Sequence, residues 1–276
     1  MTQVFDVLAD GVRTRLTTAG DRSSPTLLLV HDGAFGTTGD LCWGPVQLAL
    51  ADDFFVVVPD LVGWGGSDKT VSFDRSPYEP RLRQLAGLCG ALCLNDDPIH
   101  LAGVSFGAEL VVRACIEPEW GIRVRAAVSI AGTGGRLYRV DSAMHSLTNY
   151  EPSVQAAKEL TELLAPAVAD LDAHAEKRYQ NSLIPGHWEA LSATRIHNPA
   201  LPRHQPDDAW MERLSTTTVP ITFVEGRDDK LMEPGWAQRI AGRVPGSEWL
   251  VVDGGHEPNL DHPAEIAEVL RKCLRP

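Results

Sequence analysis

A serine lies between two glycines in Gly103-Val104-Ser105-Phe106-Gly107, at the end of an apolar run. It passes directly into a segment whose apolar residues Leu110, Val111, Ala114 and Cys115 fall at helical spacing. The pattern is strand, sharp turn, helix. A residue at such a turn is forced into strained backbone geometry, tolerable when the positions two before and two after carry no bulk, and Gly103 and Gly107 meet that demand. The Ser105 hydroxyl then projects from the end of a sheet, and the following helix aims its first backbone N–H groups at the same point. A hydroxyl is a poor nucleophile until a base takes its proton, and the base needs a third group to hold its tautomer. Two later stretches supply both. Glu225-Gly226-Arg227-Asp228-Asp229-Lys230 and Asp253-Gly254-Gly255-His256-Glu257 each follow an apolar run, which puts them at strand C-termini, where open parallel sheets assemble their sites. His256 is the candidate base and Asp229 the candidate acid, with Asp228 next and Glu225 closer to the strand. For a developing oxyanion, the Phe106 amide is one donor, and the loop His31-Asp32-Gly33-Ala34-Phe35-Gly36 offers Gly33 as the second.

The elements that must position these residues alternate. Val4–Leu8 and Val12–Thr17 flank Asp10-Gly11, a hairpin signal. Thr26–Val30 and Phe54–Val58 are continuous apolar runs, as expected of strands covered on both faces, with a short helix from Trp43 to Ala51 between them. A helix follows over Pro80–Leu94, then the strand leading to Ser105, then a strand over Val124–Ile130. This rhythm implies a parallel sheet with right-handed crossovers. It breaks from about Arg136 to Arg213, where the pattern is helical with joints such as Asn198-Pro199 and Gln205-Pro206. It resumes with strands at Pro220–Val224 and Glu248–Val252, a helix over Pro234–Arg243 and a last helix carrying Ile266, Val269, Leu270, Cys273 and Leu274 on one stripe. The expected organisation is one core, 1–135 with 214–276, and a helical cap, 136–213, lying over the end of the sheet.

The totals narrow the function. A net charge of −12 excludes nucleic acid and anionic membrane surfaces as expected partners. No apolar run approaches the roughly 20 residues needed to span a bilayer. The five cysteines sit mostly among apolar residues, as reduced thiols do, and Cys89 and Cys93 lack companions at zinc spacing. With no leader pattern at MTQVFDVLAD, a cytoplasmic location is expected, and neither a metal nor an organic cofactor is needed.

Together the loop His31-Asp32-Gly33, Pro59-Asp60 with Gly63-Trp64-Gly65-Gly66-Ser67-Asp68, the Ser105 elbow, Gly226-Arg227-Asp228-Asp229 and Gly255-His256 resemble the α/β-hydrolase superfamily over nearly the full chain. The resemblance implies an α/β fold with a mostly parallel eight-stranded sheet, helices on both faces and an inserted helical lid. In that family the acid is the third residue after the glycine, which selects Asp229. Gly132-Thr133-Gly134-Gly135 and Gly186-His187-Trp188-Glu189-Ala190 are most similar to the branch of meta-cleavage product hydrolases, which break a carbon–carbon bond in ring-fission dienoates. That branch tends to carry an arginine where His187 stands, a tryptophan where Glu257 stands, a glycine where Asp32 stands, and Ser-Met-Gly-Gly against Ser105-Phe106-Gly107-Ala108. Loss of a lid arginine removes a bidentate carboxylate clamp, which turns the expectation toward a neutral or less acidic carbonyl substrate.

The expectation is therefore a serine hydrolase that cleaves an ester or lactone of a hydrophobic small molecule through an acyl-enzyme on Ser105. Two alternatives stand beside it: carbon–carbon bond hydrolysis of a vinylogous diketone, and a non-catalytic ligand-binding protein. Asp32, Trp64, Leu183, His187 and Trp188 are the candidate substrate-contacting residues, and Leu160, Leu163, Leu164 and Ile184 candidate walls of an apolar pocket. A charge on Asp32 facing an oxyanion would oppose its formation, so its carboxylate is expected to turn away. An exposed lid helix is a candidate homodimer surface.

Overall fold

The computed structural model describes residues 2–73, 75–94, 96–142, 147, 150–193 and 209–274. Strands β1 (Gln3–Ala9) and β2 (Val12–Ala19) form an antiparallel pair closed by Asp10-Gly11, both at positive φ as a two-residue hairpin turn requires. The sheet continues through β3 (Thr26–Val30), β4 (Phe55–Pro59), β5 (Ile99–Val104), β6 (Val124–Ile130), β7 (Ile221–Gly226) and β8 (Glu248–Val252). Its order is β1-β2-β4-β3-β5-β6-β7-β8. Only β1 and β2 run against their neighbours; from β4 onward every pair is parallel.

The continuous apolar runs have the physical cause expected of them. Leu27 and Leu29 of β3 enter one core with Trp43, Val46, Ile266 and Leu270, while Leu28 and Val30 enter the core on the other face with Leu82, Leu110, Val111 and Trp236. Helices α1 (Gly39–Leu50) and α10 (Pro263–Cys273) cover the first face; α2 (Glu79–Ala91), α3 (Phe106–Ile116) and α8 (Trp236–Ala241) cover the second. A one-turn helix, α9 (Pro258–Asp261), precedes α10.

Helix α1 starts a turn before the expected Trp43. Thr38 caps it, its hydroxyl accepting from the Leu41 amide at 3.1 Å, and Asp40 lies in the first turn, so Gly44 and Pro45 are carried inside an already anchored helix. Helices α4 (Val154–Leu164), α5 (Leu171–Ser182), α6 (His187–Ser192) and α7 (Trp210–Ser215) belong to the interrupting stretch. Ser153 and Asp170 cap the first two through hydrogen bonds from the Ala156 and Ala173 amides. The joints at Asn198-Pro199 and Gln205-Pro206 lie outside the described residues. All five cysteines are unpaired, with Cys42, Cys89 and Cys115 buried. Among the described residues no helix is long and apolar enough to cross a membrane.

Candidate active site

The strand β5 ends by throwing Ser105 into φ 54°, ψ −118°, a conformation a side chain adopts only under constraint. The constraint is steric. A Cβ on Gly103 would stand 2.4 Å from the Gly107 carbonyl oxygen, and one on Gly107 would stand 2.2 Å from that of Val30. The turn is thus as tight as two missing side chains allow.

Three strand ends then converge. His256 Nε2 stands 2.8 Å from the Ser105 hydroxyl, and Nδ1 lies 2.9 Å and 3.0 Å from the two Asp229 oxygens. With Nδ1 carrying the proton, Nε2 is left as the acceptor facing Ser105. Asp229 is itself held, accepting from the Leu231 amide at 2.7 Å and the Met232 amide at 3.3 Å. Its competitors are placed elsewhere. Asp228 is exposed, and the Glu225 carboxylate accepts from the Gly235 and Ala237 amides at the start of α8.

Gly33 and Phe106 also meet: a Cβ on Gly33 would lie 2.8 Å from that of Phe106. Among the described residues neither backbone amide has an acceptor, whereas the neighbouring Ala34 amide is taken by Asp32 at 2.7 Å. The Asp32 carboxylate is turned into its own loop, its second oxygen accepting from the Thr37 hydroxyl at 2.6 Å.

A cavity of about 570 Å³ opens at Ser105 and His256, with Asp32, Trp64, Phe106, Leu147, Leu164 and Met232 among its walls. Leu183, His187 and Trp188 are absent from that lining. Leu183 is 50% exposed, because its turn at the end of α5 projects outward. Trp188 spends its indole N–H on the Tyr150 carbonyl, and its ring packs on the core. His187 is fully buried, accepting from the Gly36 amide at 2.9 Å and donating to the Gly63 carbonyl at 3.1 Å. His187 and Trp188 belong to the scaffold of the cavity, and Leu183 to the surface. Of Leu160, Leu163, Leu164 and Ile184, the residues expected to wall it, only Leu164 does so.

Sequence reasoning missed a polar cluster behind the site. Arg178 of α5, 1% exposed, donates to the Phe35 carbonyl at 3.1 Å and the Thr161 hydroxyl at 3.2 Å, and stands 3.7 Å from the Glu257 carboxylate. Asn181 donates to the Gly36 carbonyl at 3.1 Å. Burial, reinforced by the nearby Asp32 charge, holds the Glu257 carboxyl well above the usual carboxylate range, in spite of Arg178. The amphipathic period of α5 hides such residues, because a polar side chain on a helix reads as solvent-facing. No group of metal-ligating side chains occurs among the described residues.

The serine, base and acid, set at the C-terminal ends of β5, β8 and β7 in a sheet of this order, are those of an α/β-hydrolase-fold enzyme. The family model described as "Alpha/beta hydrolase family" matches residues 27–269, and the chain belongs to that family. It is 25% identical to 2-hydroxymuconate semialdehyde hydrolase of Pseudomonas sp. (strain CF600) over 98% of this chain and 93% of that one. It is 29% identical to 2-hydroxy-6-oxo-2,4-heptadienoate hydrolase of Pseudomonas putida over 82% and 79%. Its fold superposes on 2-hydroxy-6-oxo-6-phenylhexa-2,4-dienoate hydrolase of Rhodococcus sp. strain RHA1 with a TM-score of 0.84 at 20% identity, over the full length of both. The protein is a serine hydrolase, and several of its relatives are hydrolases of the meta-cleavage product branch.

Proposed function

We propose that this hydrolase cleaves a carbon–carbon bond in a ring-fission-type dienoate, and that Ser105, His256 and Asp229 do the chemistry with the Gly33 and Phe106 amides. In this mechanism the Ser105 oxygen attacks the carbonyl carbon as His256 takes its proton. Asp229 orients the imidazole and stabilises the imidazolium. The two amides receive the oxyanion. A carbon leaving group departs only if it can hold the bonding electron pair, and in a vinylogous diketone the second carbonyl, through the conjugated chain, does so. His256 returns its proton to the departing carbon, then deprotonates the water that frees the carboxylic acid from Ser105.

The observation that carries this reading is the run of relatives named for such substrates, over a chain whose serine, base and acid are already hydrogen-bonded in series. It displaces ester or lactone cleavage as the main reading. The latter uses the same acyl-enzyme and differs in the leaving atom. The ligand-binding alternative has no use for that series.

Turnover by parent and Ser105→Ala protein on a ring-fission dienoate, a p-nitrophenyl ester and a lactone separates the readings. Loss of the dienoate chromophore with release of the shorter acid, abolished in the variant, is the expected result. Ester or lactone turnover with the dienoate left intact would overturn it.

A further inference from the structure

Arg81 stands in the first turn of α2, on the wall of the cavity, with its guanidinium over the Trp64 ring at 5.2 Å; Trp64 in turn stacks on Phe106 at 6.0 Å. The other arginines on this wall have other surroundings. Arg139 pairs with Glu109, Arg75 pairs with Glu79 at 3.2 Å, and Arg136 is exposed at the rim. Arg81 has no carboxylate partner among the described residues. Of the five N–H donors a guanidinium carries, one reaches a protein acceptor, the Pro77 carbonyl at 3.0 Å, and the buried Nε–H has none. Burial alone pulls its pKa down to about 10, with no neighbouring acid to offset it. The position adds a further cost, since a cation in the first turn of a helix meets the positive end of the helix dipole. Desolvation, missing acceptors and the dipole would all be relieved by one thing, an anion bound in the cavity.

We infer that Arg81, with its face on Trp64, is the subsite for the carboxylate of the substrate, so that this enzyme takes acidic substrates and grips them from the core helix α2 and not from the helical insertion. The expectation of a neutral substrate, which followed from His187 alone, gives way because the cation is supplied elsewhere in the chain. The inference deepens the proposed function and rests on its reading of the cavity as the substrate site. Two ring contacts separate the guanidinium from the nucleophile's turn, so the anionic group lies at the far end of the substrate from the carbonyl under attack.

The test is binding in a background without chemistry. Ser105→Ala protein is titrated calorimetrically with 2,4-hexadienoate and with its carboxamide, then the measurement is repeated with Arg81→Gln and Arg81→Lys added. The expected result is that Ser105→Ala prefers the acid over the amide by about tenfold or more, that Arg81→Gln brings the preference close to unity, and that Arg81→Lys retains part of it. Equal binding of acid and amide to Ser105→Ala, binding of neither, or a preference that survives Arg81→Gln would each overturn the inference. The first of these needs no Arg81 variant to fold. Failure here leaves the carbon–carbon reaction standing. An acid preference in a protein that leaves ring-fission dienoates intact would instead overturn the reaction and keep the subsite.

Discussion

The strand-end loops and the helical insertion face each other across one cavity, and they are built on opposite principles. At the strand ends backbone geometry aims Ser105 and His256 into the cavity, Ser105 by a positive φ between two glycines and His256 by the loop directly after β8, while the loop after β7 sets Asp229 behind His256. In the insertion the polar side chains point at the core backbone. Arg178, Asn181 and His187 reach Phe35 and Gly36 in the loop that carries Gly33. Gly36 shows how close the fit is, since a Cβ there would lie 2.0 Å from the Arg178 carbonyl oxygen. One side carries the proposed reactive groups; the other holds the loop of Gly33 in place. The lesson is that a residue of the insertion near the site can serve geometry without lining the cavity.

Breaking the first side has the largest expected effect. Ser105→Ala should lower kcat by roughly 10⁴ to 10⁶, and Asp229→Asn by about 10⁴ through loss of the imidazole's orientation, both with folding intact by circular dichroism. An Asp229→Asn enzyme as active as Asp228→Asn would show that the acid lies elsewhere.

Next comes the latch. Arg178→Met removes the buried donor to the Phe35 carbonyl and the Thr161 hydroxyl, and should cost about 1–3 kcal/mol in denaturant unfolding, with kcat falling together with stability. A variant of unchanged stability would deny the insertion its structural role.

A pH effect should follow from His187, whose pKa burial pulls down to about 4 from 6.5. The folded protein keeps this ring neutral while the unfolded chain takes up a proton below pH 6.5, so the unfolded state binds more protons and stability falls as pH drops from 6.5 toward 4. The loss is about 3 kcal/mol at most. His100 and His174, also pushed down to about 4 by burial, add to the slope. His187→Gln, which can keep both hydrogen bonds without titrating, should melt with a shallower acid dependence than the parent, and an identical slope would contradict the buried, neutral assignment.

The smallest effect is expected at Leu183. Leu183→Ser should change stability by less than about 0.5 kcal/mol and leave KM unaltered, because the side chain is half exposed and outside the cavity. A raised KM would return it to the substrate's path.

How much of this was legible beforehand depends on the range of the interaction that fixed each residue. The hairpin at Asp10-Gly11, the strands at 124–130 and 248–252 and the elbow around Ser105 follow from turn chemistry and apolar runs within a few residues of one another. Asp229 was within reach because a strand end places it, although the choice over Asp228 and Glu225 needed the family's spacing. His187, Trp188 and Leu183 were misplaced because a helical segment's text shows its period and not the direction in which it is docked. Arg178, Glu257 and Arg81 were passed over for a related reason. A charged residue in a helix or turn looks solvated until the chain folds around it.

Local chemistry in the sequence therefore determined the order of strands and helices, the strained turn at Ser105 and the strand ends that bring a base and an acid toward it. The tertiary structure alone decided that Arg178 would be buried against the loop that carries Gly33 while Arg81 was left on the cavity wall without a counter-charge among the described residues. The reason is physical: the cost of burying a charge depends on which groups, distant in the chain, are packed beside it, and periodicity and composition carry no record of that packing.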